Sequence, residues 1–260
     1  MPPPHAVAVE KIYVNAKKPG AVISFLKHIY PKLFNSHAYP CRERDPQKEG
    51  LVYIRQPWES GIDNSPTWDD PLKRIINGAL LPHYERKDLL SGLIPKCVPV
   101  MKSMTVMYIS PIYFRQNLYD AGKIRQISPF LIQDPLLNSA LCKANESLAR
   151  IAEVIGEDPH IPENWAKKTA EAIRNKLWNE QYEIFDAYDL VADRSIEVDT
   201  AAGFLLLYAG AASRQPAQKI YARLNSASFC PLHQENCFTI PNYDTCNKGF
   251  GPTNYWRGPV

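Results

Sequence analysis

No apolar run here approaches the roughly 20 residues that a membrane-spanning helix requires, so no membrane partner is expected. The longest candidate, AAGFLLLYAGAA at 201–212, reads as a buried helix. Charge of one sign is also missing. Thirty basic residues against 27 acidic leave a formal charge of only +3, and the basic residues are scattered, which argues against nucleic acid as a partner. Cysteine is scarce: six in 260 residues is too few for a disulfide scaffold. Cys230, Cys237 and Cys246 lie near His233 but lack the tight paired spacing of a zinc site, so free thiols and no metal are expected. The start, MPPPHAVAV, has no charged region followed by an apolar core, so it does not read as a signal peptide, and a cytoplasmic location is the expectation. No internal sequence repeat is visible. What remains is ordinary for a soluble globule. At 45% hydrophobic and 22% charged, a chain of this length builds one well-buried domain and is small for two.

Against that background one stretch stands out, QPWESGIDNSPTWDD at 56–70. It places a ring (Trp58), two acids (Glu59, Asp63), a glycine (Gly61) and an Asn64-Ser65-Pro66 turn within nine positions. Glycine permits backbone conformations that other residues avoid. Ser65 and Pro66 suit an N-cap and a first helical position. An acid held beside an aromatic wall is what glycoside cleavage needs. The plainer alternative is that Trp58 is a buried anchor and that Glu59 and Asp63 tie the loop's own amides.

Around this loop the pattern is helical. Val22, Phe25, Leu26 and Ile29 predict a helix over Pro19 to Tyr30, followed by a polar, turn-rich HAYPCRERDPQKEG and a short extended LVYIRQ. Pro66 to Leu81 reads as the next helix. Met101 to Gly122 reads as another, which Pro111 starts or kinks. Leu137, Leu141, Ala144, Leu148, Ile151 and Ile155 form a long amphipathic stripe that Gly156 ends. EDPHIP makes a turn, Pro162 starts a second helix, and the two form an αα-hairpin. Gln181 to Asp189 alternates like a strand and carries Asp186 and Asp189. These are candidates to support a pocket; the alternative is an exposed acidic strand. Asp134 reads as a helix cap, with Gln133 beside it. Glu197 to Ala212 and Ala217 to Leu224 return to helix, and the tail from Cys230 is a structured loop. Recurring hairpins with few strands indicate an all-α domain.

A second cluster, IPNYDTCNKGFGPTNYWRGPV, closes the sequence. Tyr255 and Trp256 stand beside Arg257. On the residues alone they are either sugar-facing rings or a packed corner with Arg257 bonded to backbone carbonyls.

WESGIDNSP followed by NYWRGP roughly 190 residues later resembles glycoside hydrolase family 63, which includes processing α-glucosidase I and the hydrolases of mannosylglycerate and glucosylglycerate. Trehalases carry the cousin ESGWDFS, but Asp63-Asn64-Ser65-Pro66 is closer to the glycerate-releasing enzymes. The resemblance implies an (α/α)6 toroid with short β excursions, all 260 residues forming part of one such domain. It implies inverting hydrolysis of an α-glycosidic bond in a small carbohydrate substrate without a cofactor. Asp63 would be the general acid, and Trp58, Gly61, Tyr255 and Trp256 the substrate-binding residues. Glu59, Asn64 and Arg257 would support them. It further implies an aromatic segment before Met1 and a base Glu beyond Val260, so the toroid is expected to be incomplete at both ends. A carbohydrate-binding paralogue without catalysis and a trehalase-like hydrolase are the competing readings. The exact sugar, the base and the oligomeric state are not set by these residues.

Overall fold

The computed structural model describes residues 2–78, 114–229, 239–252 and 254–258. Helices dominate it. In sequence order they are α1 (His5–Val14), α2 (Pro19–Glu43), α3 (Asp69–Gly78), α4 (Ala121–Ile127), α5 (Pro135–Ile155), α6 (His160–Ala172), α7 (Leu205–Ala209) and α8 (Arg214–Leu224). Short strands β1 (Ile132–Gln133), β2 (Trp178–Asn179), β3 (Ile184–Phe185), β4 (Ala187–Asp189) and β5 (Arg194–Ile196) lie between them. Among the described residues no helix is long and apolar enough to cross a membrane. The expected helix within 101–122 falls largely outside the described residues, as do Cys230, His233 and Cys237. Cys246 is an exposed free thiol.

Helix α5 is the axis of the packing: α1, α2, α6 and α7 all lie against it. Asp134 caps it as expected, accepting the Leu137 N–H at 3.0 Å, and Pro135 fills the first position. Gly156 ends it in the left-handed region, φ +80°. The predicted αα-hairpin of α5 and α6 forms across residues 156–159, although Pro162 is the third residue of α6, not the first. A π-turn, Ile173–Leu177, then leads into β2.

The structure corrects the sequence reading in several places. Helix α1 is an addition to it. HAYPCRE is helical, because α2 continues to Glu43 through Pro31 and Pro40. Each proline lacks an N–H and so interrupts the backbone ladder, yet the buried series Leu26, Tyr30, Leu33, His37 keeps its three-four spacing past Pro31. Burial of that stripe outweighs the lost bonds. The helix expected from Glu197 begins only at Ala201, as a 3-10 turn running into the short α7, since Glu197 to Asp199 follow directly from β5. Asp186 and Asp189 are not exposed; they are 1% and 2% accessible.

Strands β1, β4 and β5 form an antiparallel sheet in the order β1-β4-β5, with Ile132 opposite Asp189 and Asp189 opposite Arg194. Ile54 extends it by a bridge to Ile132, its N–H and C=O exchanging bonds of 2.8 and 3.1 Å. Two residues earlier, the Asn138 side chain of α5 accepts from Val52 N at 2.9 Å and donates to Val52 O at 2.9 Å. A side-chain amide thus takes the place of a neighbouring strand. The stretch entering the 56–70 loop is anchored on both counts.

Buried Asp186 makes stability depend on pH. Burial, reinforced by the charges of Glu197 and Asp199 and opposed by the Asn179 hydrogen bond, pushes its carboxyl up to about 7. An unfolded aspartate releases its proton near pH 3.9. The folded state is therefore favoured fully below about pH 4, and that contribution fades as pH rises towards 7. Asp134, raised by burial to about 6, adds a parallel dependence. Asp186→Asn is expected to flatten the curve, most above pH 6 where Asp134 has stopped contributing. Urea midpoints measured across this window check it; an unchanged slope would refute the assignment.

Candidate active site

The loop at 56–70 is built from two 3-10 turns, Pro57–Glu59 and Pro66–Trp68. Between them Gly61 takes φ +81°, a conformation that strains any residue with a Cβ. Ser65 is the N-cap of the second turn, with Pro66 at its first position, as the sequence indicates. Its hydroxyl meets Thr67 Oγ1 at 3.0 Å.

Glu59 organises the loop. Arg44, just past the end of α2, donates to both of its carboxylate oxygens at 2.9 Å, and Arg55 N–H donates at 2.7 Å. Burial opposes its charge, but the Arg44 hydrogen bonds and charge outweigh that and hold Glu59 below the usual carboxylate range. Glu59 thus ties one of the loop's own amides, that of Arg55, together with the Arg44 guanidinium.

Asp63 is in a different environment. It is half-buried, and burial raises its carboxyl, offset only in part by its own backbone N–H. Two carboxylates four residues apart are therefore pushed in opposite directions, one towards a permanent anion and one towards holding its proton. Trp58 is half-buried in the first turn.

The two motifs meet. Asn64 Nδ2 donates to Tyr255 O at 2.9 Å, and Arg257 Nε donates to Asn64 O at 3.1 Å. The rest of the Arg257 guanidinium forks onto Asp69, at 3.0 and 2.5 Å. The Tyr255 and Trp256 rings stand 5.0 Å apart, tilted by 55°. Tyr255 is exposed; Trp256 packs on the core cluster that includes Ile62 and Trp68. Trp256 adopts φ +56°, an unusual conformation for a bulky residue. Its backbone carbonyl accepts from Asn242 Nδ2 at 2.8 Å, while its buried indole N–H has no acceptor among the described residues.

Sequence reasoning missed Arg44, Trp68, Asp69, Arg74 and Asn138. Trp68 is almost fully buried under the loop, donating from Nε1 to Ile62 O at 2.8 Å. Asp189 is held by Arg74 at 2.8 Å and accepts the Val191 and Ala192 N–H groups, which commits it to structure. Asp186 receives Asn179 Nδ2 at 2.7 Å. The sequence signal for Arg44 and Asp69 is weak, because both find their partners through the tertiary fold. Among the described residues no group of three His, Cys, Asp or Glu residues could hold a metal ion.

The described residues bring a half-buried carboxyl and a pair of rings together on two cross-linked loops of a mainly helical fold. A model of the mannosylglycerate hydrolase MGH1-like glycoside hydrolase domain matches residues 1–260, and the chain belongs to that family. It is 40% identical over 263 residues to a mannosylglycerate hydrolase of Rubrobacter radiotolerans, covering 100% of this chain and 58% of that one. The crystal structure of the family 63 mannosylglycerate hydrolase of Thermus thermophilus with Tris and D-glycerate matches at TM-score 0.90 and 33% identity, covering 100% and 61%. Its complex with glucose matches at 0.89, covering 100% and 60%. These likenesses bear out the expected (α/α)6 architecture. The chain spans about three-fifths of the length of these relatives.

Proposed function

We propose that these residues carry the general-acid side of an inverting α-glycosidase site, and that all 260 belong to one catalytic domain. The substrate class is a small α-mannoside or α-glucoside of glycerate. One observation carries the reading: Asp63 sits half-buried with a raised carboxyl, in a loop tied directly to the Tyr255-Trp256 pair. The family match and the D-glycerate and glucose complexes of the Thermus relative support the substrate class.

In this reaction Asp63 donates its proton to the glycosidic oxygen as the bond to the anomeric carbon breaks. A water attacks from the opposite face and loses its proton to a carboxylate base. In inverting enzymes the two carboxyl groups stand roughly 6.5–9.5 Å apart, leaving room for that water. Glu59 is committed to Arg44 and serves the loop, so we do not assign it as the base. Trp58, Tyr255 and Trp256 offer flat apolar surface to the sugar, and Gly61 shapes the acid's loop. No step calls for a cofactor.

The test is sugar release by the whole protein from mannosylglycerate, glucosylglycerate, trehalose and α-linked glucose disaccharides, with the first-formed anomer read by NMR. Release from a glyceryl glycoside as the β-anomer is expected. Preference for trehalose would overturn the substrate class, the α-anomer would overturn inversion, and no release from any of them would leave a non-catalytic carbohydrate binder.

A further inference from the structure

The bonds that join Asn64 and Arg257 across the two loops sit one residue away from Asp63 and from Trp256. Asn64 follows Asp63, and its backbone carbonyl is where Arg257 Nε lands. Arg257 follows Trp256, and the Tyr255 C=O takes the Asn64 amide. The rest of the Arg257 guanidinium is held by Asp69 in a two-point fork. Asp69 opens α3, so the fork anchors on a helix that leaves the loop in the direction of the core residues Leu72 and Ile75. A planar guanidinium that uses Nε, Nη1 and Nη2 at once fixes orientation as well as distance, which an ammonium cannot do.

We propose that Asp69 and Arg257 form a positioning clamp that sets the direction of the Asp63 carboxyl relative to the Tyr255-Trp256 wall. The inference rests on Asp63 being the acid. The clamp touches no substrate and moves no proton. It holds the peptide after Asp63 at a constant distance from the peptide after Trp256, so that a sugar seated on the rings presents its glycosidic oxygen to the acid. Its loss therefore acts on the step that needs the proton, and leaves sugar binding and steps without proton donation alone.

The experiment compares two substrates in the whole protein: the natural glycoside, and the corresponding α-glycosyl fluoride, whose leaving group departs without protonation. Asp69→Asn is expected to lower kcat on the glycoside by roughly 10- to 100-fold, the scale of a small misplacement of a reacting group. KM and fluoride turnover should stay within about threefold of the wild-type values. Arg257→Lys, which keeps the charge and loses the fork, should behave the same way. Asp69→Glu, which restores a carboxylate to the guanidinium, should recover most of the rate. Asp69→Asn/Arg257→Lys together should be no worse than either alone by more than about twofold, because one clamp cannot be removed twice. Thermal midpoints measured alongside separate this from a loss of folded protein.

Equal losses on glycoside and fluoride would mean that the pair merely supports the fold or the rings, and would overturn the clamp. So would an unchanged kcat on the glycoside, or multiplicative effects of the two substitutions. Failure of the acid assignment looks different: Asp63→Asn would then turn over the glycoside nearly normally, whatever the clamp variants do.

Discussion

Asp63→Asn is expected to lower kcat on the natural glycoside by about two to four orders of magnitude, the usual contribution of a general acid. Asparagine keeps the shape and the half-buried position but has no proton to give. Sugar binding, measured by calorimetry on the variant, should remain close to wild type, because the rings of Tyr255 and Trp256 and the loop backbone are untouched. The pH profile gives a second check. Burial raises the Asp63 carboxyl, so the wild-type protein holds the necessary proton further towards neutral pH than a free aspartate does. Rate then falls as pH rises through that raised value, and this alkaline limb should vanish from whatever activity the variant retains. Turnover of the glycoside surviving within about tenfold would remove Asp63 from the role.

Trp68→Ala is expected to destabilise the fold by about 3–5 kcal/mol, the range for a large buried aromatic cut back to a methyl group. Trp68 is 1% accessible. Its ring meets Phe130 edge-on, with centroids 5.9 Å apart and planes at 65°, and shares a core cluster with Ile62 and Leu72. Its indole N–H also holds the Ile62 carbonyl, which accepts the Ser65 N–H at 2.9 Å as well. Trp68→Phe separates the two contributions. It keeps most of the ring and drops the hydrogen bond, so about 1 kcal/mol should be lost along with a smaller packing term. Urea unfolding of the three proteins decides it. A loss below about 1 kcal/mol in Trp68→Ala would show that the ring is not the floor of the loop.

The residues that can be read from the sequence are those whose role depends on close neighbours. Gly61, Ser65 and Pro66 announce turns and caps by local chemistry, and the α5 stripe and Gly156 announce a helix and its end. Each is found in its expected state. The polar, turn-rich look of HAYPCRE misleads, because it does not show the surface that α2 buries on α5. Asp186 and Asp189 mislead for a similar reason: an acid inside an alternating segment looks exposed until Asn179 and Arg74 arrive from elsewhere. At the site, motif residues are visible and their holders are not. Arg44 lies 15 residues from Glu59, and Asp69 lies 188 from Arg257. Nothing in either local sequence marks it as half of a pair.

That separation also places the site in time. At about 5–20 residues per second of synthesis, the segment bearing Asp63 is made roughly ten to forty seconds before Arg257, which is 193 positions from the carbonyl it will hold. For that interval the loop has Arg44 and Trp68 for company, joined by Ile132 partway through, but not its distant brace. Helix hairpins can form locally as they are made, whereas this crossing closes one of the longest loops in the molecule and must come late. A nascent polypeptide therefore forms its local helix hairpins before it can close this crossing between the two loops.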